Sequence, residues 1–481
     1  MPEQSLKERT AKGLLWGGVS NGIVQLLNLA FGICLLNLLT PEDYGTVQIL
    51  AIFSSVATCL QDSGFTVALA NKKSPTHADY NAVFWFSVLC GAFLYVVLFF
   101  CAPLIARFYH DPLLVPLARF SFLNFLISSW GVVQRAYLFG HLMVKDSSII
   151  SISALIISGT AGIIMALCGL AYWGLAAQGV IYVSVITIMR WYYSPWRPTM
   201  QWDFRPVRQM FKFSSKLLIT SLFLQINKNV FSVLLGLFYP RGITGQYGNA
   251  YKWNDMGSST INNMLNEVAQ PVLIQAQDNP ELYNRVFRKM LRFASFLSFP
   301  AMLGLALVAH PFILICAGEK WLPSVPMLQI LCVYGAFFPL ITLYSNLIIS
   351  QGRSNINLFN TITTCVLIWI SLYVTRTMGI YVMIVSFVSI NVLWLLIWHG
   401  FAHKLIGLRL WDVLCDILPF LGIAIFSMGA TWLITKNIES TWLLLLIRIV
   451  LGAGFYIGLL FVFRAKILRE SLSFLRCKLK A

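Results

Sequence analysis

The stretch LQINKN at residues 224–229 places Gln225, Asn227, Lys228 and Asn229 inside an otherwise apolar run. An ionised side chain in hydrocarbon is unfavourable unless it is paired or hydrated, so such a lysine marks a ligand or ion pathway. Asn21, Gln25 and Asn28 recur at helical spacing in an earlier run and share one face at comparable depth. A third run adds Lys252 and Asp255, then Asn262, Asn263, Asn266 and Glu267, and two further runs carry Asp62, Arg119 and Arg135. Ammonium and guanidinium groups bind phosphate, and carboxamides bind hydroxyls. A set richer in Lys, Arg and amides than in carboxylates therefore suits an anionic, hydroxyl-rich ligand such as a phosphorylated sugar. A pocket for cationic drugs would show the reverse. Lys228, Asn227, Asn229, Gln225, Lys252, Asn21, Gln25, Asn28 and Arg119 make up the expected substrate-binding set. Asp62, Arg135, Asp255 and Glu267 are expected to serve a gate or ion coupling, with snorkelling at the membrane surface as the plainer role for those near span ends.

The elements that position these groups follow from composition. The chain has 481 residues, 58% hydrophobic and 11% charged, against about 25% charged in soluble globular proteins. Its mean hydropathy is +0.75. Apolar stretches of about 20 residues, enough to cross the hydrocarbon layer, succeed one another from residue 13 to residue 463. Barrel strands would be about half as long and strictly alternating. The expected fold is an all-α integral membrane protein with about fourteen transmembrane helices, the first at 13–37, the fourth at 113–138, the seventh at 214–239 and the last at 441–463.

Lys and Arg set the orientation. With the N-terminus cytoplasmic, about 26 of the 35 basic residues fall in inside segments, which predicts an even number of spans and both termini inside. A formal net charge of +17 is then explained by topology and by anionic headgroups, and nucleic acid is not an expected partner. The ten cysteines are scattered without metal-ligand spacing and read as small apolar fillers.

The chain also repeats itself. Tyr44-Gly45 in LLTPEDYG and Tyr247-Gly248 in LFYPRGITGQYG each restart an apolar run after a proline, and YNAVF at 80–84 returns as YNRVF at 283–287. Pro103 is echoed by Pro311, and Gly174 by Gly379. Each unit holds six spans, and an even number gives both copies the same orientation. The expected organisation is a lobe at 1–193, a cytoplasmic linker at 194–213, a second lobe at 214–404, and two extra helices with a basic tail at 405–481. Such parallel pairs of bundles build secondary transporters that bind substrate between the halves.

Other chemistries find no residues to carry them. There is no GxxxxGK[ST] loop for nucleotide phosphates, and no large outer loop with clustered carboxylates of the kind a membrane polymerase needs. His399 and His403 stand four apart on one helix, but no third ligand accompanies them. The reading is a non-enzyme without metal or catalytic residues. The glycines at 422, 429, 452, 454 and 458 in the last two spans allow close approach either of helices or of a lipid tail.

Residues along nearly the whole chain carry a family resemblance: LLTPEDYG, QDSGF, LGLFYPRGITGQYGNAYKW, QPVLIQAQDNPELYNRVF, FPAMLGLALVAHPFI, GEKWLPSVPMLQIL and SQGRS. The chain resembles the polysaccharide transporter (Wzx-type) flippases of the MOP superfamily, in the branch that exports colanic acid, O-antigen or capsule repeat units. The resemblance implies two six-helix lobes in a bacterial inner membrane, an undecaprenyl-diphosphate-linked oligosaccharide as substrate, and no cofactor beyond a coupling proton or sodium ion. It implies a monomer that works beside membrane lipids and the polysaccharide polymerase and chain-length machinery. Similar members often carry RNxD in span 7, where this chain has KNVF; Lys228 keeps the charge, and Phe231 stands in place of the acid. The nearest alternative is a flippase for the peptidoglycan lipid-linked precursor, which arginines in span 1 would favour; span 1 here has only amides. A multidrug antiporter and a membrane polymerase are the more distant ones.

Overall fold

The computed structural model describes residues 6–62, 69, 75–141, 143–275 and 279–463. Among them there are helices and no strands. In chain order these are α1 (Leu6–Leu38), α2 (Pro41–Asp62), α3 (His77–Phe108), α4 (Leu114–Ser121), α5 (Leu123–Ser129), α6 (Val132–Gly140), α7 (Val144–Leu167) and α8 (Ala171–Tyr193). The second half adds α9 (Arg205–Phe238), α10 (Arg241–Gln275), α11 (Pro280–Ala317), α12 (Ser324–Ser350), α13 (Ser354–Thr375), α14 (Ile380–Ile406), α15 (Leu410–Thr435) and α16 (Thr441–Val462). Among the described residues, eleven helices are long and apolar enough to cross a membrane. α10, rich in amides, is not among them, and α9 carries its amides and Lys228 inside an apolar run. Contacts group the chain into two compact units, Met1–Gly245 and Gln246–Ala481.

The fourth span, expected as one helix, is built from the three pieces α4, α5 and α6. At the joints the backbone stays helical but tightens: Phe125 N–H donates to Phe122 O at 3.0 Å and Gly131 N–H to Ser128 O at 2.9 Å, three residues back. Part of the cause lies on α3, where a Cβ at Gly91 would stand 2.6 Å from Ser129 Cβ and 2.8 Å from Phe125 O. The two segments approach as closely as a bare backbone permits.

In the first unit α2 and α3 pack on α9, α1 packs on α7, and α5 packs on α8. Capping boxes start two of these helices. At α2, Asp43 accepts from Thr40 N–H at 3.0 Å and from its hydroxyl at 2.8 Å. Thr76 and Asp79 repeat the arrangement at α3. Each box satisfies N–H groups that would otherwise end a helix unpaired. The TPED of the repeated turn is therefore a helix-start signal.

The second unit is organised around α11, which packs on α12, α15 and α16. Two prolines inside α11, Pro300 and Pro311, lack the N–H that would bond the carbonyls four residues back. Those carbonyls belong to Phe296 and Leu307, and α16 supplies the missing donors: Tyr456 Oη donates to Phe296 O at 3.0 Å, and Arg448 Nη1 to Leu307 O at 3.0 Å. Arg448, buried to 8% exposure, also gives Nε to Thr435 Oγ1 on α15 at 3.1 Å. The first unit repeats the device, since Arg119 Nε reaches toward the Phe99 carbonyl released by Pro103, at 3.4 Å. The last two helices are thus stitched to the second unit through carbonyls that only proline leaves open. Tyr456→Phe and Arg448→Met should each cost about 1–3 kcal/mol, the penalty of an unsatisfied buried group. Thermal unfolding of the purified variants checks this, and α11 carrying Pro300→Ala should be insensitive to Tyr456→Phe.

Glycines of the last two helices do not serve this packing. A Cβ at Gly422, Gly429, Gly454 or Gly458 would meet nothing within 4 Å, whereas one at Gly452 would stand 3.2 Å from Met428 Sδ. Four of the five face open space, so close helix packing explains Gly452 alone.

Candidate functional site

In the first unit the expected substrate residues lie on α1 and α9, with Arg119 on α4. Asn21 and Gln25 are exposed and Asn28 half-buried. On α9, Gln225 and Asn227 are half-buried and Asn229 is buried, its Nδ2 donating to Gln225 O at 2.9 Å. Asn227 Oδ1 is buried with no hydrogen-bond partner among the described residues. The side chains of Lys228, Asp62 and Glu267 lie outside the described residues. Phe231, which replaces the acid of the family's motif, is 2% exposed and is a core residue. Gln48 Nε2 on α2 donates to Ser232 Oγ at 3.2 Å, tying the polar helix to α2.

Arg119 has a local engagement: besides Phe99 O, its guanidinium carbon lies 4.2 Å from the centre of the Phe99 ring. Arg135 is exposed on α6. On α10, Lys252 is exposed and Asp255 half-buried, Asn263 is exposed, and Asn266 Oδ1 accepts from Asn346 Nδ2 at 2.8 Å.

The structure adds residues that sequence reasoning passed over. Gln246, Asn249 and Trp253 line one face of α10 at steps of three and four, and all are buried. Gln246 Nε2 donates to Lys320 O at 2.7 Å, but its Oε1, both amide atoms of Asn249 and Trp253 Nε1 lack partners among the described residues. Their helical spacing was the available signal. In the same unit Asp416 accepts from Arg288 Nε at 2.6 Å, with Arg292 Nε 3.7 Å away and Asp412 3.3 Å from Arg288 Nη1. The histidine pair is occupied otherwise. His399 Nδ1 shares a hydrogen bond with Tyr344 Oη at 3.2 Å, and His403 Nδ1 bonds Leu408 O at 2.9 Å. Among the described residues no group of three His, Cys, Asp or Glu could hold a metal.

The repeated turn shows a different equivalence from the one its sequence suggests. Counted from the helix starts at Pro41 and Arg241, Gly45 and Gly245 are both fifth residues. A Cβ on Gly45 would run into the Arg241 carbonyl oxygen, and one on Gly245 into the Pro41 carbonyl oxygen. Each glycine is met by the first residue of the other helix, so the two helix starts cross backbone on backbone. Gly242 lies under Glu42, and Arg241 forms an ion pair with buried Asp111. The Tyr-Gly echo aligns Gly45 with Gly248; the crossing brings Gly45 to Arg241 and Gly245 to Pro41, because only the absence of Cβ lets the chains meet.

The fold is similar to that of solved membrane transporters. A solved structure titled lipid II flippase MurJ, in an inward closed conformation, superposes with a TM-score of 0.78 over 94% of this chain and 100% of its own, at 13% identity. An inward-facing multidrug-resistance MATE family transporter gives 0.64 over 80% of this chain and 94% of its own, at 15% identity. The sequence profile described as "Polysaccharide biosynthesis protein" matches residues 35–326, more than half of the chain, and the chain belongs to that family. Among its relatives, the lipopolysaccharide biosynthesis protein WzxC of Escherichia coli K12 is 26% identical over 75% of this chain and 74% of its own. The teichuronic acid biosynthesis protein TuaB of Bacillus subtilis 168 is 26% identical over 73% of each.

Proposed function

We propose that this transporter-fold protein flips a polyprenyl-diphosphate-linked oligosaccharide across the bacterial inner membrane for surface polysaccharide synthesis, by alternating exposure of a polar path. The observation that carries the reading is chemical. In a chain of the polysaccharide biosynthesis family, α9 carries Gln225, Asn227, Lys228 and Asn229 inside an apolar run, and α10 carries Lys252 and a series of amides beside Asp255 and Glu267. Amides suit sugar hydroxyls and lysine suits a diphosphate. The names of WzxC and TuaB, which place those proteins in lipopolysaccharide and teichuronic acid synthesis, support the same substrate class. Coupling to a proton or sodium gradient belongs to this proposal, with Asp255, Asp62 and Glu267 as the acids to test and both termini in the cytoplasm.

Lys228 carries the expected diphosphate contact. Lys228→Arg should retain export and Lys228→Gln should lose most of it, about tenfold or more for one charge-assisted contact of 1.5–3 kcal/mol. Export of the glycan in a strain lacking the native protein is the measurement, with membrane yield as control. Equal export by the Gln variant and wild type would remove Lys228 from the path.

A further inference from the structure

The connection between α8 and α9 is extended and is laced to the first turns of α3. Asn81 bonds it twice, Nδ2 donating to Gln201 O at 2.6 Å and Oδ1 accepting from Thr199 N–H at 2.9 Å. Trp85 Nε1 donates to Thr199 O at 2.8 Å, and Trp196 Nε1 donates to His77 Nδ1 at 3.1 Å. Trp85 and Trp202 stack with ring centres 4.6 Å apart, and Trp130, Trp191 and Trp196 pack around Phe84. A concentration of indoles at one end of a bundle marks headgroup depth.

This strap fixes the start of α9 against α3 and leaves a cavity of about 920 Å³ between them. Phe86, Leu89, Cys90 and Phe93 line it from α3, with Phe204, Val207 and Arg208 opposite. Phe86 to Phe93 is two turns of helix, about 10 Å along the axis, so the cavity runs from the indole layer toward the hydrocarbon. Among the described residues every lining side chain is apolar except Arg208. Nearby Arg205 has Asp203 at 3.9 Å and Arg197 bonds the Ser194 and Trp196 carbonyls; Arg208 has no such partner among the described residues. An open apolar groove with a guanidinium at headgroup depth has the complementarity of one ligand class.

We propose that this pocket is a binding site for an anionic phospholipid of the surrounding bilayer, with its phosphate on Arg208 and an acyl chain along Phe86 to Phe93. The bound lipid fills the space under the strap and holds the first turn of α9 to α3. The site is separate from the amides and lysines of the proposed transport path.

The test uses full-length protein in nanodiscs of mixed phosphatidylglycerol and phosphatidylcholine, with lipids retained after extraction counted by native mass spectrometry. Wild type should retain phosphatidylglycerol over phosphatidylcholine by about fivefold, the worth of one basic residue at a charged membrane surface. Arg208→Lys should keep that preference, Arg208→Gln should abolish it while retaining lipid, and Leu89→Trp, which fills the channel, should lose both lipids. No preference in wild type, or an undiminished preference in Arg208→Gln, overturns the proposal. So does displacement of the lipid by polyprenyl diphosphate at equal mole fraction, which would assign the pocket to the transported lipid.

Discussion

Gly245→Ala is expected to slow disulfide formation between Glu42→Cys and Gly242→Cys, in a background freed of the native cysteines, by about five- to 150-fold. Glu42 and Gly242 face each other across the crossing, with Glu42 Cγ 3.8 Å from the position of a Cβ at 242, within the reach a disulfide needs. The added Cβ at 245 would run into the carbonyl oxygen of Pro41. That oxygen belongs to the backbone at the start of a helix and cannot swing aside as a side-chain tip would, so the helix starts must separate. Overpacking of this kind costs about 1–3 kcal/mol, and that energy against one of two states is a population shift of about five- to 150-fold. Gly45→Ala should act alike, since its Cβ would run into the Arg241 carbonyl oxygen. If the crossed state is visited in every transport cycle, export falls with the disulfide rate while membrane yield holds. An unchanged rate in both variants would mean that the crossing is easily remodelled and is no switch.

The second large effect is expected at Asp416. Its carboxylate is 5% exposed and receives Arg288 at 2.6 Å, with Arg292 beside it. Removing one partner of a buried ion pair costs about 3–5 kcal/mol because the remaining charge keeps its desolvation penalty. Arg288 retains about a third of its side-chain exposure, which places Asp416→Ala near the lower end of that range. Folded yield in detergent and the unfolding temperature should both fall. Restoring hydrophobic contact with Asp416→Leu and Arg288→Leu together should recover most of the loss. A single variant as stable as wild type would show that water reaches the pair.

Length, composition and periodicity made the helical membrane fold legible, because each span must satisfy its own backbone in hydrocarbon. The polar helices were legible for the same reason: amides in a span stand out against leucine. What escaped the sequence was partnership over distance. Pro103 and Pro311 were visible as a repeat, but nothing local says that Arg119 and Arg448 answer the carbonyls those prolines release. Arg448 is an isolated charge in its apolar run, and the carbonyl it answers belongs to Leu307, 141 residues away. Asp412 and Asp416 were hidden because charges near a span end read as topology. The Tyr-Gly echo marks the repeat but not the crossing, since similarity of side chains and meeting of backbones are recorded by different residues. The buried amides Gln246 and Asn249 could have been found from spacing alone, whereas Asn227 needed the structure to show that its oxygen is buried without a partner.

The central claim, movement of a lipid-linked oligosaccharide across the bilayer, is tested most directly by reconstitution. Purified protein in proteoliposomes is supplied on both leaflets with polyprenyl-diphosphate oligosaccharide labelled on its sugar, and an impermeant sugar-modifying reagent reports the outer-leaflet fraction with time. The account predicts that, once the outer pool is consumed, the inner pool continues to react at a rate that scales with protein and drops with Lys228→Gln. A protected inner pool that stays intact in the presence of wild-type protein, while lipid II or a cationic dye is moved instead, would contradict it.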